Sequence, residues 1–223
     1  MSESEISWVK RSKAQAKASY NRISSFYDLF SSFERKYAQI GINMLDIQRG
    51  EKILEIGFGT GHALLTLCKL VGNTGKVYGI DISEGMYNIS KRRIMKEGFS
   101  NRVRLVCGDA ATLPFPAKAF DAVFMSFTLE LFDTPEIPVV LNECKRVLRD
   151  EGRICIVAMS KKGKTSMVTR LYEWFHELFP SLVDCRPIYV VKSLTQVGFK
   201  ILTSMDLSLW GLRGEAVLAR KSS

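Results

Sequence analysis

The sequence has few features of a secreted, metal-binding or membrane-spanning protein. In its 223 residues no apolar run approaches the roughly 18 residues of a membrane helix. The five cysteines are odd in number and form no C-x-x-C pair, which argues against a disulfide framework or a zinc site. Residues 1–17 contain no apolar core, so they do not form a secretory signal. We therefore expect a cytoplasmic protein with no bound metal.

Acidic residues are scarce: 23 Asp and Glu stand against 32 Lys and Arg, giving a formal net charge of +9. A basic surface can attract nucleic acid, an anionic membrane or an anionic substrate. No basic cluster carries the interleaved aromatic residues of a nucleic-acid stacking platform. We expect no nucleic-acid partner, although the charge leaves RNA and peripheral contact with an anionic membrane open. The sequence does not determine the oligomeric state. The basic clusters lie at 10–17, 91–96, 102–104 and 161–164.

Strand-like and helix-like patterns alternate after position 51. Such alternation predicts a parallel sheet with helices on both faces. The turn WGLRG near the C-terminus is too short for a parallel crossover, so the last two strands must pair antiparallel. The predicted fold is an α/β, doubly wound, Rossmann-like, mostly parallel seven-stranded sheet with an antiparallel C-terminal hairpin. The predicted strands are 52–57, 76–81, 103–109, 120–127, 153–160, 199–209 and 215–221.

The two ends of the chain carry further helical patterns. Apolar residues in 1–48 recur at spacings of three and four, which predicts a helical N-terminal cap. An aromatic-rich helix is predicted at 165–179 and another helix at 187–197. We expect one domain over residues 1–223. Within it, 1–48 would form the cap, 49–160 a cofactor-binding core, and 161–223 substrate-side helices and closing strands.

Glycines and acids mark the carboxyl ends of the first predicted strands. Glycine allows a tight turn and lets a ligand approach the backbone, and open α/β sheets bind ligands at the carboxyl ends of their strands. Asp81 ends the second strand, about 20 residues after the glycines, where an acid can bind ribose hydroxyls. Asp109 follows Gly108 at the end of the third strand, and Ser126 ends the fourth. The turn itself is Glu55-Ile-Gly57-Phe58-Gly59-Thr60-Gly61.

The glycine spacing distinguishes between two classes of nucleotide cofactor. Dinucleotide-binding turns read G-x-G-x-x-G and place a pyrophosphate on the helix N-terminus. Here the spacing is G-x-G-x-G, and the carboxylate of Glu55 would repel a pyrophosphate. S-adenosylmethionine carries a sulfonium and an α-amino group and no phosphate. The residues therefore favour this methyl donor, with an NAD-dependent oxidoreductase as the alternative.

The same segments resemble the class I S-adenosylmethionine-dependent methyltransferases. LEIGFGTG resembles their first motif, GIDISEGM the second, CGDAATLPFPAKAFDAVF the adenine motif, and RVLRDEGRICIV the fifth strand with its lead-in. Within this group the chain most resembles the ubiquinone/menaquinone C-methyltransferase-like branch, whose tyrosine-rich cap is similar to YNRISSFYDLF. The resemblance covers about residues 19–160.

The resemblance implies a role for each matching residue. The glycines would line the methionine part of the cofactor near Glu55, and Asp81 would bind the ribose hydroxyls. Ile82 and Met86 would flank the adenine, whose amine would donate to Asp109.

The remaining carried-over residues would complete the pocket. Ala110 would pack on the adenine ring, Ser126 and Phe127 would lie beside the sulfonium, and Tyr27 would close the pocket from the cap. The expected cofactor-binding set is Glu55, Gly57, Phe58, Gly59, Thr60, Gly61, Asp81, Ile82, Met86, Gly108, Asp109, Ala110, Ser126, Phe127 and Tyr27.

The acceptor is less defined than the cofactor. SFTLELF lacks the Asn/Asp-Pro-Pro-aromatic signature of enzymes that methylate planar nitrogens, which argues against base or glutamine methylation. We expect a small-molecule or lipid-like acceptor, methylated at a quinol- or phenol-type carbon or oxygen. The candidates for a general base are Glu130 and His176; otherwise Glu130 is a helix-cap or surface acid. RNA methylation and a non-catalytic cofactor-binding protein are the alternatives.

Overall fold

A computed structural model describes residues 14–15, 17–18, 21, 32–162, 186–209 and 212–222. Within these ranges a seven-stranded sheet has helices on both faces. The helices are α1 (Ser32–Met44), α2 (His62–Val71), α3 (Glu84–Lys96), α4 (Ile137–Val147) and α5 (Val190–Gln196), with a 3₁₀ turn at Leu129–Leu131. The strands are β1 (Lys52–Ile56), β2 (Lys76–Asp81), β3 (Val103–Cys107), β4 (Phe120–Ser126), β5 (Leu148–Met159), β6 (Phe199–Leu209) and β7 (Leu212–Lys221).

The strands lie in the order β3-β2-β1-β4-β5-β7-β6. Strands β1 to β5 pair in parallel, and β7 is antiparallel to both β5 and β6. This confirms the doubly wound sheet and the antiparallel closing hairpin. Because β1 has β2 on one side and β4 on the other, the strand order reverses at β1. Its carboxyl end is therefore the place where an open α/β sheet binds its ligand.

Apolar residues on both faces of the central strands make the core. On one face the strands pack against α4 and α5; on the other they pack against α1 and α2. Strands buried on both faces need near-continuous apolar runs, and Ile53, Leu54 and Ile56 of β1 are all buried. Of the cysteines that the structure describes, Cys68, Cys144 and Cys155 are buried in this core, whereas Cys107 is exposed.

Helix α1 lies against β4 and β5 because Gly41 allows a close approach. A Cβ atom built on Gly41 would lie 2.5 Å from Val157 Cγ2 and 2.9 Å from Phe124 Cε2. The same helix also contacts a strand near the other end of the chain: the Tyr37 hydroxyl donates a 2.5 Å hydrogen bond to the Ser208 carbonyl. This part of the predicted cap therefore packs on the sheet and contacts β6.

Several predicted boundaries differ from the structure. Strand β5 begins at Leu148 and β7 at Leu212, both earlier than predicted. Helix α5 begins at Val190 rather than at 187, because Ile188 forms a parallel bridge with Ser160. The predicted aromatic helix at 165–179 lies outside the described residues. Among the described helices, none is long and apolar enough to cross a membrane.

Candidate active site

The glycine turn after β1 has a backbone that only glycine adopts readily. Gly57, Gly59 and Gly61 have φ angles of 72°, 52° and 83°, in the left-handed region that side chains disfavour. A Cβ atom built on Gly57 would lie 2.2 Å from Thr128 Oγ1, and one on Gly61 would lie 2.7 Å from Ser90 Oγ. Among the described residues other than its chain neighbours, no atom lies within 4 Å of a Cβ atom built on Gly59. Two glycines therefore permit close packing, while Gly59 leaves the turn open toward the crevice.

Helix α3 and strand β2 fix the position of this turn. The Ser90 hydroxyl donates a 2.7 Å hydrogen bond to the Gly59 carbonyl, and Arg93 donates to the Thr60 carbonyl. On the other side, Gly59 N–H donates to Asp81 Oδ2 at 2.9 Å. The turn is thus held at its centre by side chains from two later elements.

Asp81 stands at the carboxyl end of β2, as predicted. Its second oxygen, Oδ1, accepts the Ser83 N–H at 2.9 Å. Burial raises the pKa of the Asp81 carboxyl to about 6, although hydrogen bonds from Ser83 and Gly59 lower it. A carboxylate offers about four lone-pair sites. Asp81 therefore retains acceptor capacity for ligand hydroxyls.

Glu55 lies in β1, between Gly79 of β2 and Phe124 of β4. It is only 3% exposed, and burial, with a smaller contribution from the charge of Asp81, raises its pKa well above the ordinary range. Within the part of the chain that the structure describes, Glu55 Oε2 has no hydrogen-bond partner. A buried carboxylate with this geometry is suited to a cationic ligand.

The side chain of Phe58 packs in the protein core and does not line the crevice. Its side chain is 4% exposed and belongs to the core on the α1–α2 face. A Cβ atom built on Gly79 would lie 2.7 Å from Phe58 Cδ1, so this packing depends on glycine in β2. Phe58 could therefore contact a cofactor mainly through its backbone.

The predicted adenine residues follow β2 and β3. Asp109 Oδ1 accepts the Ala111 N–H at 2.9 Å, and Gly108 N–H donates to the Asp81 carbonyl at 2.9 Å. Ala110 is buried. Met86 is buried in the first turn of α3, whereas Ile82 is partly exposed. The structure therefore brings these two strand ends together, as the sequence predicted.

Strand β4 ends in a strained turn. Phe127 has a φ of 50°, and its N–H donates to the Val157 carbonyl at 2.8 Å. Its ring packs edge-on against Tyr37, with the centroids 6.4 Å apart. Ser126 Oγ is buried and finds no hydrogen-bond partner among the described residues. Non-glycine residues with positive φ often occur at functional sites.

Glu130 lies in the 3₁₀ turn that follows β4. The residue is fully buried, and its Oε1 accepts the Met159 N–H at 3.1 Å. Burial raises the pKa of its carboxyl to about 8. The expectation that Glu130 would otherwise be a surface or helix-cap acid is wrong, because β5 covers it. The other predicted base, His176, and the predicted cap residue Tyr27 lie outside the described residues.

Two residues near the N-terminus also reach the site, and the sequence analysis missed them. Asn21 Oδ1 accepts the Ser83 hydroxyl at 2.7 Å and the Gly85 N–H at 2.9 Å. Lys17 pairs with Glu84 at 2.8 Å. Both contacts lie at the start of α3, beside Asp81. An asparagine and a lysine in a polar N-terminal segment carry no local signal of such a role.

The residues present fit S-adenosylmethionine. An open backbone at Gly59, a buried acceptor on Glu55 and spare acceptor capacity on Asp81 suit its amino acid, cationic and ribose groups, respectively. The buried carboxyl group of Glu55, two positions before the first glycine of the turn, disfavours a pyrophosphate at this place.

Comparison with known proteins decides the family. The model of the ubiE/COQ5 methyltransferase family matches residues 9–185. The chain belongs to this family. It is an S-adenosylmethionine-dependent methyltransferase, as the resemblance implied. No comparison favours RNA methylation or a non-catalytic cofactor-binding protein.

Individual relatives agree with this assignment. The chain is 31% identical to the demethylmenaquinone methyltransferase of Anoxybacillus flavithermus over 166 residues, which cover 72% of this chain and 69% of that one. Its fold is similar to that of the [4+2]-cyclase SpnF, with a TM-score of 0.77, 20% identity and 98% of each chain covered. It is also similar to the fold of a methyltransferase of Aquifex aeolicus, with a TM-score of 0.67 and 22% identity. The match covers 89% of this chain and 98% of that one.

Proposed function

We propose that this methyltransferase acts on a quinol- or phenol-type acceptor with a lipid-like tail, at a ring carbon or a hydroxyl oxygen. The name of the Anoxybacillus relative, a demethylmenaquinone methyltransferase, supports this acceptor class. The observation on which the proposal depends is Glu130, a fully buried carboxyl with a pKa of about 8 that directly follows β4. Such a group can accept a proton near neutral pH.

The cofactor half of the crevice would be held by the residues that the turn and the strand ends bring together. Glu55 would face the cationic part of the methyl donor, Asp81 the ribose hydroxyls and Asp109 the adenine amine. When bound, S-adenosylmethionine supplies an electrophilic methyl group. Ser126 and Phe127, at the end of β4, would lie between this group and the acceptor.

The protein's own contribution to the reaction is alignment and proton removal. Holding two reactants in line can contribute roughly 7–11 kcal/mol in favourable cases. Replacing a ring or hydroxyl hydrogen by methyl releases one proton from the acceptor. In our proposal Glu130 takes that proton on Oε2, which has no partner among the described residues. Its Oε1 stays on the Met159 N–H, which fixes the carboxylate.

The proposal is tested by incubating the protein with S-adenosylmethionine and reduced demethylmenaquinone analogues of different tail length. Mass spectrometry would detect the product, and fragmentation would distinguish carbon from oxygen methylation. We expect methylation of the quinol and none of the oxidised quinone, which lacks the hydroxyl groups that make the ring carbon or the oxygen nucleophilic. Methylation of RNA but of no quinol or phenol would contradict the proposal.

The role of Glu130 is tested by Glu130→Gln. We expect turnover to fall about 10²–10⁴-fold, the range of general acid–base catalysis, with unchanged affinity for S-adenosylhomocysteine. Glu215→Gln is the matched control, since Glu215 is also buried and accepts a backbone N–H, from Val190 at 3.2 Å. The control should retain turnover within a few-fold. Full activity of Glu130→Gln would remove this residue from the chemistry.

A further inference from the structure

Arg186 is a buried charged residue that the reaction scheme has not used. It has no exposed surface. Arginine is rarely fully buried unless its charge is compensated, because removing it from water is costly. Burial lowers the pKa of its guanidinium, while the charges of Asp133 and Glu130 raise it. A buried guanidinium therefore needs hydrogen-bond acceptors inside the protein.

The guanidinium of Arg186 binds the segment that follows Glu130. Nη1 donates to Thr134 Oγ1 at 3.1 Å, and Nη2 donates to the Phe132 carbonyl at 2.5 Å. Both acceptors lie within four positions of Glu130, in the segment that follows its 3₁₀ turn. The planar guanidinium can hold two acceptors in a fixed relation, which a lysine ammonium does less well.

These contacts close a ring of hydrogen bonds around Glu130. Met159 donates its N–H to Glu130 Oε1 at 3.1 Å, and its carbonyl accepts the Ile188 N–H at 3.0 Å. Ile188 lies two positions after Arg186. The guanidinium of Arg186 in turn binds Phe132 and Thr134, just after the turn that contains Glu130. The carboxylate is therefore held by β5, and the backbone that follows it is held by Arg186.

The charges around Glu130 have opposing effects. Arg186 lowers the pKa of the Glu130 carboxyl, whereas Glu34 of α1 raises it; burial has the largest effect. Asp133, two positions after the end of this turn, interacts with Arg186. Loss of Arg186 would therefore leave Glu130 with Glu34 as its main charged neighbour among the described residues.

We propose that Arg186 is a positioning residue for methyl transfer: its guanidinium holds the segment that follows the Glu130 turn and so fixes the position of this carboxyl. The inference rests on the proposed role of Glu130 as the base. It assigns Arg186 no contact with the methyl donor or the acceptor.

The experiment is a pH profile of kcat, at saturating methyl donor and quinol analogue, for wild type, Arg186→Met and Arg186→Lys. In the wild type kcat should rise with pH through a midpoint near 8, the pKa of Glu130. For Arg186→Met the midpoint should move to higher pH, because an opposite charge is lost. At pH 7 kcat should fall, by about tenfold for each pH unit of that displacement. Arg186→Lys, which keeps the charge, should restore the midpoint.

Two controls separate the outcomes. Affinity for S-adenosylhomocysteine should stay within about twofold of wild type, which a general loss of structure would not allow. If Arg186→Met does not fold, Thr134→Val, which removes one guanidinium acceptor, should move the midpoint in the same direction by a smaller amount. If every folded variant keeps the wild-type midpoint of the kcat–pH profile, the proposed role of Arg186 is wrong.

The same data distinguish failure of the inference from failure of the proposed function. If wild type methylates no quinol or phenol, the proposed function is wrong. If Glu130→Gln loses turnover but the Arg186 variants keep the wild-type pH profile, only the positioning role is wrong. If Glu130→Gln is fully active, both roles on this turn are wrong while the acceptor class stands.

Discussion

The two halves of the crevice draw their residues from different distances along the chain. In the cofactor half, formed by the ends of β1, β2 and β3, the glycine turn, Asp81 and Ser90 hold one another across separations of 22 and 31 positions. In the acceptor half, formed by the ends of β4 and β5 with Arg186, the contacts span 29, 54 and, at Tyr37, 171 positions. Apart from Asn21 and Lys17, the cofactor half is thus built from one continuous stretch of alternating strands and helices, whereas the acceptor half is assembled from distant parts of the chain.

The chemistry of the two halves differs as well. In the cofactor half, burial raises the pKa values of the Glu55 and Asp81 carboxyl groups. In the acceptor half one buried carboxyl group, Glu130, lies near a buried guanidinium. The first arrangement is suited to an incoming cation, and the second to holding and releasing a proton. A general cofactor site built locally can serve many acceptors, which long-range contacts then select.

The largest expected effect tests whether the open turn is the cofactor site. Gly59→Val should lower affinity for S-adenosylhomocysteine at least about 100-fold, because a side chain there would occupy the approach to the backbone. Gly98→Val is a matched control, since Gly98 also has a positive φ (75°) and, in the part of the chain that the structure describes, no atom beyond its chain neighbours within 4 Å of a built Cβ. Both variants carry the same kind of backbone strain, so calorimetry should show loss of binding only at Gly59. Equal losses would mean that strain, not the ligand path, explains the effect.

A smaller effect is expected at the ribose site. Asp81→Ala should weaken the binding of S-adenosylhomocysteine by about 1–3 kcal/mol, because the donors that the carboxylate accepts from lose their hydrogen-bond partner. Part of this loss would reflect the Gly59 N–H, which Asp81 also accepts. Asp81→Asn, which keeps one acceptor oxygen, should recover some affinity. Unchanged binding by Asp81→Ala would place the ribose elsewhere.

The pH dependence of cofactor binding distinguishes the halves further. Asp81 has a pKa of about 6 and Glu55 one well above its ordinary range, so both take up protons as pH falls. A cation favours the ionised forms, and binding should therefore release protons. S-adenosylmethionine affinity should fall as pH is lowered from 7 through 6, by at most about tenfold per unit for each proton released. S-adenosylhomocysteine, which lacks the sulfonium, should lose less; identical slopes for the two ligands would argue against this electrostatic role.

The smallest effect concerns the support of the turn. Ser90→Ala removes the hydrogen bond from the Ser90 hydroxyl to the Gly59 carbonyl. A hydrogen bond of this kind contributes about 0.5–1.5 kcal/mol. We expect cofactor affinity to fall a few-fold in calorimetry, with kcat at saturation nearly unchanged. A large loss of kcat would mean that α3 also shapes the acceptor half.

The same contrast explains what the sequence could predict. The cofactor half follows from local features, namely glycines at fixed spacing and acids at the ends of apolar strands, and the structure brings these features together. The burial of Glu130 was not predictable, because it depends on β5, which begins 18 positions later. Arg186 was missed because its acceptors lie more than 50 positions away. The early start of β7 was missed because antiparallel pairing with β6 continues past the apolar run.

A crystal structure with S-adenosylhomocysteine bound tests the central claim most directly. The account predicts the product along the open face of the Gly57–Gly61 turn, with its ribose hydroxyls on the Asp81 carboxylate and its amino group nearest Glu55. A structure with the ribose away from Asp81, or with the product bound outside this turn, would contradict the account.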